Sequence, residues 1–525
     1  MGPVRGWRIK VGTVAIAVVL FVILLVLAGQ SGFAHAEGQR ALPAWEMLVS
    51  GDFFVPRLFG QACLRKPPGV PWLIALASVV FGHTHFAARV VSIGSMLFAS
   101  VCSAYFARRW FHRPGVGTLA GLTMCLFPLW YWYPPVAPSA EIEAPFVACT
   151  LLTTLLMLDT LCGAWRTGSS GSWPFRCAAI ALASGGMFLC KGPAGLVAVL
   201  PACAVGFLFA PRGAAIDDRP RPSKAARTTC GALGLTLGAA VLGAWMFLAA
   251  HELARTGESA VLQSPGEFLY RPSWSFAGFV SMTLLAGLPF VLVLTAVLRA
   301  PGVRVGVEPT HITNMTHALA GTFLFALIAT PFVGVSNPRH ALPVLALLPM
   351  LTAGWASTQL PHRARTGRAM LPPFLRHANA TLVALGVVSI ALTLYAQHRR
   401  STRTTGETEA AVWGALLVGP AELWGDELMD QRPEIAFAAT HAASAQGHKI
   451  LPRWTPLSLL DATAPAPLPP VGSYLLVRTD TRPREKWNPA ELPRYLDAGL
   501  LQKCRLVAIG QAHIFQYRVY QRTIE

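Results

Sequence analysis

The strongest constraint on this chain is the alternation of long apolar runs with short basic loops, repeated along most of its length. Apolar runs occupy 11–28, 86–107, 115–133, 143–162, 177–190, 193–210, 228–250, 276–298, 316–333, 341–360 and 381–396. About 20 apolar residues in a helix match the thickness of a bilayer core. Only 13% of the 525 residues are charged, against 53% hydrophobic, whereas a soluble chain carries about 25% charge. The expected fold class is therefore an all-α polytopic membrane protein with about eleven transmembrane helices.

The charge distribution sets an expected orientation. The formal net charge of +18 is concentrated in short loops at 108–114, 164–176, 211–227, 299–315 and 361–377. Placing the N-terminus in the cytoplasm puts all of them on the cytoplasmic side, as the positive-inside rule requires. The stretches 30–85, 134–142, 191–192, 251–275, 334–340 and everything after about 397 then lie outside. His398-Arg399-Arg400 is a basic exception beside the last run. The basic excess is read as topology and attraction to anionic lipid, not as a nucleic-acid footprint. The segment 67–81 is apolar but short and proline-bearing. It is expected to lie at the membrane face, because a crossing there would invert every later loop.

The N-terminal run follows Arg5, Arg8 and Lys10 and ends near Ala34-His35-Ala36. That end mimics a signal-peptidase site, but the run is read as an uncleaved anchor. Residues 1–396 form the expected membrane domain, with 30–85 as its first outer loop. Residues 397–525 differ in kind: alternating strand patterns appear at 473–478 and 505–518 after a proline-rich link at 462–470. A small α/β domain outside the membrane is expected there. Eight of the ten cysteines lie in or beside apolar runs and read as small apolar residues. Cys63 and Cys504 lie outside, with no spacing pattern that pairs them. His35, His83, His85 and His251 match no zinc-ligand spacing, and Trp130-Tyr131-Trp132-Tyr133 reads as an interfacial aromatic belt.

Between the first run and 68 the chain carries Glu37, Glu46-Met47, Gly51-Asp52, Pro56-Arg57-Leu58-x-Gly60 and Lys66-Pro67-Pro68. An acid at a membrane exit with cations a short loop away suits a sugar and a phosphate held at a bilayer surface. In order and spacing these motifs resemble the first outer loop of the aminoarabinose transferase and protein mannosyltransferase-like families. Those are C-type membrane glycosyltransferases that take sugar from a polyprenyl-phosphate lipid. The resemblance extends through Lys191-Gly192-Pro193 and Pro338-Arg339-His340-Ala341-Leu342-Pro343, and it implies the same fold with a small domain after the last span.

The resemblance also implies roles. Glu37 stands at the second position of the family's acidic pair, whose first position is Ala36 here. Glu143 stands where the family has an aspartate, with Glu141 as an alternative. Both acids are expected to take or orient the acceptor's proton. Lys66, Lys191 and Arg339, with Arg57 and Arg65 nearby, are expected on the donor phosphate, where charge develops as the sugar departs. Arg65 replaces the acid that commonly precedes Lys-Pro-Pro, which leaves the need for a divalent cation open, and no metal ligands are assigned. Each residue also has a plainer reading. Glu37 suits a solvated interface, Glu143 a helix N-terminus favoured by the macrodipole, and Lys66 and Lys191 snorkelling lysines. Arg339 suits a loop arginine, and Arg57 an ion pair with the loop acids.

The expected activity is transfer of a sugar from a polyprenyl-phosphate donor to a lipid, glycan or protein acceptor at the outer face of the inner membrane. A transporter or lipid-handling protein is the alternative, although no paired repeats are visible. A third reading, prompted by Ala36 and Arg65, is a family member without activity.

Overall fold

The computed structural model describes residues 11–30, 32–33, 37–112, 115–131, 139–162, 172–209, 223–257, 310–330, 341–366, 378–401, 407–425, 433–454, 470–478, 503–512 and 515–523. The expected span at 276–298, most of the outer stretches 251–275 and 134–142, and Arg339 lie outside the described residues.

Helices dominate. Helix α1 is Val11–Gln30, α2 Glu37–Ser50, α3 Gly69–Phe81, α4 His85–Phe111, α5 Val116–Cys125, α6 Glu143–Leu161 and α7 Ser172–Lys191. A 3-10 turn, Gly192–Gly195, leads into α8, Leu196–Leu208. Then come α9 Lys224–Thr256, α10 Thr310–Ala329, α11 Leu342–Leu345, α12 Leu348–Thr366 and α13 Ala378–Ser401. Among the described residues, six stretches are long and apolar enough to cross a membrane: α1, α4, α6, the α7–α8 pair, α9 and most of α13. Shorter apolar helices at Gly69–Phe81, Val116–Cys125, Asn314–Ala329 and Leu342–Ser357 accompany them. At 13 residues, α3 is about 20 Å long, too short for the hydrocarbon core, and Leu76, Val79 and Val80 project from it.

The bundle packs through small residues, because lipid offers no hydrophobic drive between helices and close backbone approach supplies the attraction. Along α9, a Cβ at Gly234 would strike Ile180 of α7 and one at Gly238 would strike Ser184. Helix α6 is enclosed by its neighbours, whereas α1 and α9 expose most of their apolar surface. Buried Thr153 on α6 donates its hydroxyl to the Cys149 carbonyl one turn back, which satisfies a polar group inside the bundle. At one end of the bundle Asp159 accepts from Arg109 Nε at 3.0 Å, Trp110 Nε1 at 2.8 Å and Arg176 Nη1 at 2.8 Å.

Trp130 and Tyr131 do not form a belt. Both are buried, and they donate to the carbonyls of Met124 and Cys125 at 2.9 and 2.6 Å. Those carbonyls belong to the last residues of α5, where intrahelical donors run out.

After α13 come α14 Glu407–Gly414, β3 Pro420–Gly425, α15 Pro433–Ala445, β4 Lys449–Trp454, β5 Tyr474–Arg478, β6 Cys504–Ala512 and β7 Phe515–Arg522. The five strands form one mixed sheet in the order β4-β3-β5-β7-β6. Strand β3 runs parallel to both β4 and β5, while β7 is antiparallel to β5 and β6. Pro452 sits in β4, an edge strand, where a missing N–H is tolerated. All ten cysteines are free thiols.

This sheet unit docks on the first loop. Trp45 Nε1 donates to the Ile450 carbonyl at 3.3 Å, and the His83 ring contacts the Thr440 hydroxyl at 3.3 Å. Phe437 of α15 packs on Phe33, His83 and His85 with ring centroids 4.3, 4.3 and 5.0 Å away.

Candidate active site at the outer loop

The first loop is built around Glu46. Strands β1, Arg57–Leu58, and β2, Gln61–Ala62, form a hairpin. Its two turn residues, Phe59 and Gly60, both have positive φ, as the type I′ turn of a two-residue hairpin requires. Buried Glu46 accepts from the Phe59 and Gly60 N–H groups at 2.7 and 2.9 Å. Spacing within the motif thus has a physical cause: the acid on α2 clamps the turn 13 and 14 residues on. Burial pushes its carboxyl up to about 7, although both backbone donors and the Arg453 charge pull the other way. A Cβ at Gly60 would run into the Arg453 guanidinium, so the sheet unit closes over this turn. Asp52 accepts from the Phe54 and Val55 N–H groups at 3.0 and 3.2 Å. Arg57 pairs with Asp52 at 3.5 Å, which fits its plainer reading as a partner of the loop acids.

Glu37 opens α2 and is fully buried. Arg89, one turn into α4, donates to its two oxygens through Nε at 2.8 Å and Nη2 at 3.0 Å. The same guanidinium donates to the carbonyls of Ala28 and Gly32 at 3.1 and 2.6 Å, at the open end of α1. Glu37 also accepts from the Ala140 N–H at 2.8 Å. Arg89 and Glu37 therefore tie α1, α2, α4 and the residues leading into α6 to one point. Arg89 was not among the residues expected at the site. Its signal is a lone cation inside an apolar run, which is costly without a role.

Just beyond Ala140 lie Glu141 and Glu143, both buried. Glu143 begins α6, and its Oε1 is 3.2 Å from Lys191 Nζ, the last residue of α7. The structure thus brings two expected site residues together. Both side chains are nearly enclosed, at 9% exposure for Lys191 and 4% for Glu143. Gly192, with φ of +63°, ends the helix directly after the lysine, a backbone turn that glycine adopts without a Cβ penalty.

The Lys66-Pro67-Pro68 segment leads to the same place. Gly69 at the start of α3 lies so close to the Leu189 carbonyl that a Cβ there would come within 2.7 Å of it. The segment that follows Lys66 and the last turn of α7, which ends in Lys191, thus meet through Gly69 and Leu189. Lys66 is half-buried and Arg65 exposed.

These residues do not fit a divalent cation well. Glu37 is engaged by a guanidinium, Glu143 faces an ammonium, and the residue before Lys66 is basic. Among the described residues no group of three His, Cys, Asp or Glu side chains is placed to hold a metal.

The family model described as dolichyl-phosphate-mannose-protein mannosyltransferase matches residues 65–221. An undecaprenyl phosphate-alpha-4-amino-4-deoxy-L-arabinose arabinosyl transferase of Edwardsiella ictaluri is 28% identical over 212 residues, covering 38% of this chain and 35% of that protein. The one from Pseudomonas aeruginosa is 25% identical over 384 residues, covering 72% of this chain and 64% of that protein. In both cases less than two thirds of the relative's length is spanned. The crystal structures of ArnT from Cupriavidus metallidurans match over 97% of both chains. In the apo state the TM-score is 0.62 at 16% identity, and bound to undecaprenyl phosphate it is 0.59 at 17%. In sequence, therefore, the chain is similar to aminoarabinose transferases over part of its length, and in fold it is an ArnT-like polytopic membrane protein.

Proposed function

We infer that the chain is a glycosyltransferase that moves a sugar from a polyprenyl-phosphate donor to a lipid, glycan or protein acceptor at the outer face of the inner membrane. The observation that carries this reading is the enclosed Glu143–Lys191 pair, set beside the Lys66 segment in a fold shared with an ArnT that binds undecaprenyl phosphate. The basic loops argue for a cytoplasmic N-terminus and an outward-facing sheet unit.

In this reading the donor phosphate takes the place of Glu143 on Lys191, with Lys66 as a second cation. Lysine serves phosphate as a point charge. The displaced Glu143 carboxylate then accepts the proton of the acceptor hydroxyl. The acceptor oxygen bonds to the anomeric carbon as the bond from that carbon to the phosphate oxygen breaks. The electron pair leaves with polyprenyl phosphate, and its growing charge falls on the two lysines. Attack opposite the leaving group inverts the anomeric centre. Glu37, whose oxygens face Arg89 and Ala140, positions the loop that carries Glu143.

The test is transfer of labelled sugar from polyprenyl-phosphate donors to a membrane glycolipid extract by the purified chain in detergent. Wild type is expected to transfer, with Glu143→Gln and Lys191→Ala strongly reduced. Donor binding without transfer, indifferent to both substitutions, would favour the lipid-handling reading or the inactive family member that Ala36 and Arg65 prompt.

A further inference from the structure

A groove distinct from the outer-loop residues lies at the other end of the bundle. It has a volume of about 640 Å³ and runs between α1, α4 and α5. Its floor is Ala104, Gly117 and Gly121, where α5 packs so closely on α4 that a Cβ at Gly117 would come within 2.8 Å of the Ala104 carbonyl. That close approach sets the α4 and α5 backbones side by side along the bottom of a shallow trough, and Val18, Leu97 and Leu122 wall it. Its rim is open to the bilayer, with Val18 and Val101 54% and 65% exposed, so its contents are lipid rather than water.

One end of the trough is charged. Arg108 and Tyr105 line it there. Arg109, the next residue, is engaged by Asp159 and by Tyr105, which leaves Arg108 as the arginine that lines the groove itself. Arg108 is exposed. Along α4, Arg89 and Arg108 are 19 positions apart, which at the helical rise is about 28 Å, close to the thickness of the hydrocarbon core. The basic mouth therefore lies at the opposite membrane face from the Glu143–Lys191 pair. A donor whose phosphate is bound at that pair does not present it here.

We propose that this groove binds an anionic glycerophospholipid of the cytoplasmic leaflet, with one acyl chain along the Ala104–Gly117–Gly121 trough and the headgroup phosphate at Arg108. The charge complementarity selects an anionic headgroup, and the apolar trough selects a chain. The site is independent of the transferase reading.

The test is native mass spectrometry of the full chain from detergent, with phosphatidylglycerol and phosphatidylcholine of identical chains in competition. Wild type is expected to retain phosphatidylglycerol about fivefold more, the effect of one basic residue near a membrane surface. Arg108→Gln is expected to abolish that preference and Arg108→Lys to keep it. Thr118→Phe, at an exposed lining position, is expected to lower occupancy by both lipids. Equal retention by wild type, a preference unchanged in Arg108→Gln, or displacement of phosphatidylglycerol by stoichiometric undecaprenyl phosphate would each overturn the assignment.

Discussion

The Arg89 guanidinium meets the Glu37 carboxylate through two parallel hydrogen bonds, at 2.8 and 3.0 Å, with neither side chain exposed to solvent. Paired in this way, each charge offsets the desolvation of the other. The remaining donors of Arg89 reach carbonyls at the end of α1, and Glu37 takes the N–H of Ala140. An acid expected to act on the acceptor is thus held in a structural hub, three residues from the backbone of Glu143.

Removing one partner leaves the other buried and unpaired, which costs about 3–5 kcal/mol. Glu37→Gln and Arg89→Ala are therefore expected to lower the thermal unfolding midpoint in detergent together with activity. Arg89→Met combined with Glu37→Met is expected to recover part of the lost stability. A Glu37→Gln protein with wild-type stability and no transfer would instead give Glu37 a direct part in the chemistry.

Glu143 and the donor phosphate compete for Lys191 in the proposed mechanism. Glu143→Gln should then slow transfer by about 10²–10⁴-fold, the usual contribution of a general base. It should also bind polyprenyl phosphate about tenfold more tightly, because one charge-assisted contact of about 1.5 kcal/mol no longer has to be exchanged. Titration of both proteins with undecaprenyl phosphate, followed by intrinsic fluorescence, reads this directly. Weaker binding by the variant would remove the competition from the mechanism.

Much of this fold is visible in the sequence because a bilayer allows few alternatives. Apolar runs such as 143–162 and 228–250 appear as α6 and α9 within a few residues. The loop motif is visible for a local reason: Glu46, Phe59 and Gly60 are close in sequence and make one clamp. Other features depend on distant partners. Glu143 and Lys191 stand out singly, but nothing in the spacing of 48 residues declares them a pair. Arg89 is hidden by the apolar residues around it. In the tail, β5, β6 and β7 show alternation, whereas β3 and β4 are brought into the sheet by parallel pairing across α15, and each contains a proline.

Phe437 anchors the sheet unit to the membrane bundle through Phe33, His83 and His85. Phe437→Ala removes a fully buried ring, a change that costs about 3–5 kcal/mol in a packed core. The expected outcome is faster release of a C-terminal fragment by trypsin in detergent, with the membrane bundle intact on a gel. An unchanged digestion rate would mean that the contacts of Trp45 and Arg453 suffice without the ring.

Glu46 makes the same junction sensitive to pH. Burial raises its carboxyl from 4.5 to about 7, so between those values the folded protein holds a proton that the unfolded chain has released. Stability from this group is therefore greatest below about 4.5 and is lost as pH rises towards 7. His83 works in the opposite sense: burial, followed by its histidine neighbours His441 and His85, holds it well below its ordinary value of 6.5, so its contribution falls as pH drops below 6.5. Comparing wild type with Glu46→Gln separates the two, because the amide does not titrate and His83 is common to both. Measured as unfolding midpoints in detergent at pH 5, 6, 7 and 8, the stability of wild type relative to Glu46→Gln should decrease from pH 5 to 7 and then level off. A difference that stays constant across the series would mean that Glu46 remains ionised beneath Arg453, with its charge met by the Phe59 and Gly60 N–H groups.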